Sequence, residues 1–263
     1  MVPCMPSAMA EDRCFPVPPC APARRGGAVV RDGGATGCTD PLYRLLAWLS
    51  PAYPIGAFSY SHGVETAVEE GFVTDRASLV AWLETVLAGG TGAVDGALFA
   101  AAWRAAEAQD WPAFDAVAER AAAWRGTAEM ALESRQQGGS FLSITRAAWP
   151  HADLDAAHER LAGEIALPVA VALAAAAHGI AVEMALGGYL HAFAANLVSA
   201  AVRTVPLGQT DGQRALAGLE GTVRRAVEAA LAVTDLDEVG TSTPLLDWCS
   251  LRHETQYTRL FRS

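Results

Sequence analysis

The chain has 263 residues, of which 52% are hydrophobic and 18% charged, and a formal net charge of −10. This length and composition support a sizeable core and exclude global disorder. The negative charge disfavours nucleic acid as a partner, because phosphate backbones would be repelled. All 19 basic residues are Arg, which excludes chemistries that need Lys, such as a Walker-A phosphate loop, a protein kinase or a Schiff-base enzyme.

Residues 1–39 differ from the rest of the chain, because they are rich in Pro, Gly and Cys and show no periodic apolar pattern. We expect this segment to be disordered or to be a spurious N-terminal extension. Its Arg residues precede no continuous apolar stretch, so it is a poor signal peptide. The odd number of Cys, without zinc-type spacing, suits a reducing compartment. The sequence therefore predicts a cytoplasmic protein.

From residue 40 onward the apolar residues recur at helical spacing, and alternating strand patterns are scarce. Asp40-Pro41 predicts the start of the first helix and Ser50-Pro51 its end, and Asp75 can cap the next strong helix. Further helices are predicted over 93–108, 112–136, 153–161, 165–185 and 189–204, and from Asp211, with breaks at Gly138-Gly139 and Gly187-Gly188. The fold expected for residues 40–263 is an all-α, single-domain bundle of about eight to ten helices.

The segment Ile165 to Val182 is the most membrane-like part of the chain, but it is mostly Ala and contains Pro168 and His178. Because Ala contributes little transfer free energy, we interpret this segment as a buried core helix and expect no membrane association. A helical membrane protein using residues 165–204 is the alternative.

Three polar segments interrupt the Ala-Leu pattern. Residues 49–63 carry two Pro, two Gly and several hydroxyl and aromatic side chains, residues 205–214 join two apolar helices, and residues 247–263 mix Arg with aromatic residues. Each can be a structural connector or a contact for another protein, since Arg, Tyr and Phe are enriched at interfaces. His253-Glu254 is not a zincin motif, because residue 257 is Tyr.

These segments resemble the urease accessory protein UreF family. The first matching box is Ser50-Pro51-Ala52-Tyr53-Pro54-Ile55-Gly56-Ala57-Phe58-Ser59-Tyr60-Ser61-His62-Gly63-Val64-Glu65. Similar boxes are Glu133-Ser134-Arg135 with Gly139-Ser140-Phe141-Leu142, Pro206 to Gln213, and His253 to Ser263. Four boxes in the expected order cover residues 40–263, and residues 1–39 fall outside the pattern.

The resemblance implies an all-α, non-catalytic protein without a cofactor of its own, although nickel can transit the assembled complex. It implies a bridge between a UreD/UreH-type protein and the GTPase UreG that modulates GTP-dependent nickel insertion into the urease apoprotein, with a homodimer in the complex. The partner-binding residues expected on this basis are Phe58, Ser61, Glu65, Arg203, Gln209, Asp211, Gln213, His253, Glu254, Tyr257, Arg259 and Phe261.

Tyr257 and Arg259 are the first candidates for contact with UreD/UreH, because the tail resembles the part that orders on that partner. The alternative function is an uncharacterised all-α enzyme with a site at the Pro-rich 50–63 loop. Carboxylates or His residues that converge on that loop would favour the enzyme.

Overall fold

The computed structural model describes residues 41–263, within which the chain forms twelve α-helices and two short 3-10 helices and no strand. The α-helices are α1 (Pro41–Trp48), α2 (Val64–Glu69), α3 (Arg76–Gly89), α4 (Thr91–Glu107), α5 (Trp111–Ala123), α6 (Ala128–Ala148), α7 (Ala152–Arg160), α8 (Leu167–Ala177), α9 (Val182–Thr204), α10 (Gln209–Gly218), α11 (Glu220–Ala232) and α12 (Pro244–His253). The all-α fold predicted from the sequence is confirmed. The expected character of residues 1–39 and the Asp40 cap lie outside the described residues.

The core is built around α8, which packs against α4, α6 and α9. Every residue from Pro168 to Ala175 on this helix is buried. The small Ala side chains of α8 and α4 let neighbouring helices approach closely, while larger side chains such as Trp48, Phe99 and Phe141 fill the remaining space. The apolar segment around α8 is therefore the centre of the bundle.

The expected helix breaks at the two Gly pairs are wrong, since α6 continues through Gly138 and Gly139, and α9 through Gly187 and Gly188. A Cβ atom at Gly138 would lie 2.1 Å from the carbonyl oxygen of Ile165. A Cβ atom at Gly188 would lie 2.6 Å from a methyl group of Leu49. Gly138 and Gly188 therefore allow close packing between elements, and their helices continue without a break.

Two long predicted helices are each divided in two. The 112–136 helix is interrupted between Ala123 and Ala128, where Thr127 caps α6 by accepting a hydrogen bond from Met130 N at 3.3 Å. The 165–185 helix ends at Ala177, and Gly179 turns the chain with φ of 66° before α9 begins. Local capping and a left-handed glycine end these helices where apolar periodicity alone suggests continuity.

By length and composition alone, two helical stretches could cross a membrane, Arg76–Glu107 and Val182–Thr204. The first spans α3 and α4, and Gly90 interrupts it between these helices. In their most apolar windows 44% and 50% of the residues are buried inside the protein. Core helices of a soluble bundle pass the same test, so the two stretches are weak evidence for a membrane protein.

Candidate functional site

The first loop, residues 49–63, is held on the bundle by buried side chains and by glycine turns. Tyr53 is buried, and its hydroxyl lies 2.8 Å from Thr145 Oγ1. Burial raises the pKa of Tyr53, and this hydrogen bond acts in the opposite direction. Gly56 and Gly63 have φ of 75° and 79°, a conformation that glycine adopts without strain. The loop thereby exposes Phe58 at its tip, where 66% of the residue is accessible.

The C-terminal segment returns to this first loop. We define the tail as residues 254–263, which follow α12. Arg262 N donates to Ser59 O at 2.8 Å, and Ser61 N donates to Ser263 O at 2.9 Å. Two segments separated by about 200 residues in the chain therefore form one surface.

Arg203 on α9 connects the first loop to the tail. Its Nη2 donates to Phe58 O at 3.0 Å, and its guanidinium carbon lies 4.4 Å from the ring centre of Phe261. Phe261 is buried beneath this guanidinium. A cation over an aromatic face is favourable, and more so when the pair is partly desolvated. Arg203 therefore fixes the loop and the tail relative to one another.

A buried ionic cluster lies under the tail. Glu65 accepts hydrogen bonds from Leu260 N at 2.7 Å and from Phe261 N at 3.0 Å. The two ring nitrogens of His253 lie 2.7 Å from Glu129 Oε2 and 3.1 Å from Glu65 Oε2. Glu129 also pairs with Arg259 at 3.0 Å. The cluster joins α2, α6, α12 and the tail.

A second group of polar side chains lies beside it. His62 Nδ1 lies 3.1 Å from Glu133 Oε2, and Ser263 Oγ donates to the same oxygen at 2.9 Å. His62 Nε2 is 2.8 Å from Thr91 Oγ1. Burial would raise the pKa of Glu133, but His62, Ser263 and Arg125 together hold that pKa below its usual value. Glu133 therefore stays ionised and anchors the last residue of the tail.

Asp95, Arg125 and Tyr189 form a third buried group, which lines the same small cavity as His62 and Glu133. Arg125 donates to Asp95 at 2.7 Å and the Tyr189 hydroxyl donates to the other oxygen of Asp95 at 2.6 Å. Burial and the Asp95 charge raise the pKa of Tyr189 well above its usual value. Burial would lower the pKa of Arg125, and the neighbouring Asp95 charge reverses this effect. Each charged group has a partner, as burial of charge requires.

Two cavities adjoin these groups and share Glu133, Gln137 and Tyr189 in their walls. The cavity among the polar side chains has a volume of about 30 Å³, which is room for a water molecule and not for an organic substrate. The neighbouring cavity of about 230 Å³ is lined mainly by apolar and aromatic side chains, including Trp48 and Phe193. The convergence of His62 and Glu133 near the first loop is what the enzyme alternative required, but both are already paired within the protein.

The predicted partner-binding residues divide into an inward and an outward set. The side chains that are buried and contact the protein itself are those of Ser61, Glu65, His253 and Phe261. The residues that are exposed are Phe58, Arg203, Gln209, Gln213, Glu254, Tyr257 and Arg259. Asp211 is half-buried and pairs with Arg76 and Arg214. Only the outward set can touch another protein without rearrangement of the tail.

The 205–214 segment forms a separate part of the surface on α10. The helix predicted from Asp211 begins two residues earlier, because α10 starts at Gln209 with Gly208 before it. Gly212 faces α9 closely, since a Cβ atom there would lie 2.9 Å from a methyl group of Val202. Asp211 is therefore a residue of the first helical turn.

Sequence reasoning missed several residues of the site, among them Glu129, Asp95, Arg125 and Tyr189. A usable signal exists for Glu129, which lies four residues before Glu133 and so shares one face of a helix with it. The other three come from separate helices or turns, and only the fold brings them together. Within residues 41–263, no group of three or more His, Cys, Asp or Glu is arranged to hold a metal ion.

Comparison with known proteins gives consistent matches. Residues 73–220 match the family model UreF. A urease accessory protein UreF of Granulibacter bethesdensis is 55% identical over 222 residues, which is 84% of this chain and 94% of that protein. Proteins of the same name from Rhodopseudomonas palustris (strain BisB5) and Bradyrhizobium diazoefficiens are 51% and 46% identical, over 84% and 92% of this chain and 91% and 97% of those proteins. The resemblance noted in the sequence is thus confirmed, and the chain belongs to the UreF family of urease accessory proteins.

Proposed function

We propose that this protein is a non-catalytic accessory factor in urease maturation that bridges a UreD/UreH-type protein and the GTPase UreG on the urease apoprotein. Family membership supports the accessory role. The observation that carries the bridging role is the outward face of the tail, where Tyr257 is fully exposed and Leu260 is 70% exposed beside a firmly held backbone. Exposed apolar and aromatic side chains on a fixed frame are typical of protein interfaces.

The outward face of α12 carries further exposed apolar side chains. Leu245, Trp248 and Leu251 follow at spacings of three residues and are 43%, 39% and 53% exposed. The Phe72 ring lies 6.1 Å from the Trp248 ring, so the patch reaches the connection between α2 and α3. Exposed apolar side chains of this kind suit the UreD/UreH-type partner, which would cover them.

For UreG we propose contacts with the exposed side chains of Phe58 on the first loop and of Gln209 and Gln213 on α10. Any effect of this protein on GTP hydrolysis would come from different affinities for the nucleotide states of UreG, since a binding partner shifts an equilibrium only by differential affinity. Nickel is cargo in this proposal and passes through the assembled complex. A homodimer within that complex and a cytoplasmic location complete the proposal.

The test of the bridging role is a pull-down of the UreD/UreH-type protein by full-length protein and by a variant lacking residues 253–263. The deletion also removes buried His253, so a double surface variant, Tyr257→Ala with Leu260→Ser, avoids disturbing the core. We expect the deletion to abolish capture and the double variant to weaken binding at least tenfold, about 1.4 kcal/mol.

Met184→Ala is the matched control, because Met184 is 50% exposed on α9 and lies outside the tail. Circular dichroism should give the same helicity for the full-length protein and the double surface variant. Full capture by the deletion variant would refute the role of the tail in partner binding.

A further inference from the structure

The carboxylate of Glu65 is shared by three groups from the end of the chain. It accepts from the amides of two consecutive tail residues, Leu260 at 2.7 Å and Phe261 at 3.0 Å, and it lies 3.1 Å from Nε2 of His253. Glu65 itself is on the short helix α2, nearly 200 positions earlier. One side chain therefore fixes the end of α12 and the backbone of the tail at once.

The burial of this contact makes it decisive for the tail. Glu65 is 7% exposed and His253 is completely buried. A buried carboxylate without hydrogen-bond donors is strongly unfavourable. Glu65 therefore favours the conformation in which the tail packs on the bundle and donates to it. A residue at position 65 that could not accept from the amides of Leu260 and Phe261 would disfavour this packed conformation of the tail.

A cation of the tail completes the cluster. His253 lies between two carboxylates, with one ring nitrogen facing Glu129 and the other facing Glu65. Arg259 pairs with the second oxygen of Glu129 at 3.0 Å. One of the two carboxylates therefore has a cationic partner from the tail, and this ion pair is present only when the tail is in place.

The geometry of the two amides determines which tail side chains face outward. Because neighbouring N–H groups both point at Glu65, the flanking side chains separate, with Phe261 4% exposed and Leu260 70% exposed. Phe261 then packs under Arg203, whose guanidinium carbon lies 4.4 Å from the centre of the Phe261 ring. Leu260 and Tyr257 are left on the surface.

We propose that Glu65 is a positioning residue which, through His253 and the amides of Leu260 and Phe261, seats the tail and so creates its outward partner-binding face. This inference rests on the proposed function in one respect, namely that the outward face of the tail binds the partner. Glu65 itself would not touch the partner. Its effect on binding would be indirect and would require the tail.

The decisive variant is Glu65→Gln, which keeps the shape of the side chain but replaces one acceptor oxygen with an NH₂ donor. One of the donors that faces Glu65 is then opposed by another donor. Glu69→Gln is the matched control, because Glu69 lies on the same helix and is exposed. His253→Gln is a second variant that removes the imidazole ring between Glu65 and Glu129 while Glu65 remains.

Hydrogen exchange of the full chain, followed by mass spectrometry, measures the seating directly. We expect Glu65→Gln to reduce the protection of tail amides, including Leu260 and Phe261, at least tenfold, while amides of α4 and α8 keep their protection. His253→Gln should loosen the same segment, and the double variant should be little worse than Glu65→Gln alone, because the two residues act through one contact. Glu69→Gln should leave exchange unchanged.

Unchanged tail exchange in Glu65→Gln, or an equal loss of protection in α4 and α8, would overturn the positioning role, since the second result indicates general destabilisation. Affinity for the UreD/UreH-type protein should fall at least tenfold in Glu65→Gln and not in Glu69→Gln. Failure of the proposed function is recognised separately. If the variant lacking residues 253–263 still binds, the docking role of the tail is refuted whatever the exchange experiment gives.

Discussion

At the scale of single residues, the charged side chains that are buried in the site each have a partner within the protein. Asp95 and Arg125 form an ion pair with side chains 4% and 6% exposed, and Glu133 lies between His62 and Ser263. Removal of one member of such a pair leaves an uncompensated charge, whereas removal of both can be nearly neutral. These residues therefore matter for the shape of the site, although they lie beneath its surface.

His178 is the clearest case of a residue whose environment opposes its charge. Burial lowers its pKa from 6.5 to about 4, the positive charge of Arg44 acts in the same direction, and the carbonyl of Trp149 partly opposes both. The unfolded chain then binds a proton at a higher pH than the folded chain does. The contribution of His178 to the free energy of unfolding is therefore complete above pH 6.5 and is lost as the pH falls from 6.5 towards 4.

We expect the free energy of unfolding to fall between pH 7.5 and pH 5 by about 1 kcal/mol more in the natural protein than in His178→Gln, after allowance for the partial exposure of the ring. Urea titrations at the two pH values measure this difference. His191→Gln, which changes an exposed His on α9, should retain the full pH dependence. Equal pH dependence in natural protein and His178→Gln would show that the charge of His178 is tolerated.

At the scale of helices, close packing explains where sequence patterns succeed and fail. Asp75 caps α3 as predicted, because its side chain accepts from Ser78 N at 2.8 Å and the whole signal lies within four residues. The Gly138-Gly139 pair has the composition of a helix end, yet it lies in the middle of α6. Gly is required at position 138 because the backbone near Ile165 lies against it, and a single sequence does not reveal that contact.

Gly138→Ala tests this packing role. The added methyl group would meet the Ile165 carbonyl oxygen at 2.1 Å and backbone atoms of the next two residues at 2.7 Å. Since backbone atoms cannot rotate away, we expect a loss of about 3 kcal/mol in the free energy of unfolding, despite the better helix propensity of Ala. Denaturant titration gives the value.

Gly218→Ala is the matched control for this prediction, because Gly218 is also helical and nothing lies within 4 Å of the added carbon. There we expect no loss and a gain of up to about 1 kcal/mol. A gain in stability for Gly138→Ala as well would mean that α6 and the start of α8 can move apart.

At the scale of the whole molecule, three sequence boxes that are far apart in the chain meet at one place. Sequence boxes at 50–65, 133–142 and 253–263 were recognised separately, and the fold joins them through Glu65, Glu133 and the tail. Sequence reasoning found these boxes because they differ from the Ala-rich helices around them. It could not find their mutual contacts, which connect residues 71 to 202 positions apart.

This arrangement predicts unequal effects of shortening the chain at its two ends. Residues 1–39 show no periodic apolar pattern, so we expect a protein beginning at Asp40 to unfold at the same temperature as the full chain. A protein ending at His253 loses the buried ring of Phe261 and the donors to Glu65 and Glu133. We expect it to lose about 3 kcal/mol of stability.

Scanning calorimetry at pH 7.5 distinguishes the two cases, because a loss of about 3 kcal/mol lowers the unfolding temperature by roughly 6 to 12 °C in a chain of this size. Circular dichroism should give little change in helicity after loss of the tail, since α12 ends at His253. If removal of residues 1–39 lowered the unfolding temperature as much as removal of the tail, the division of the chain at residue 40 would be wrong. The unequal response expected here follows from where the buried donors lie, because the tail supplies partners to carboxylates that the bundle has already buried.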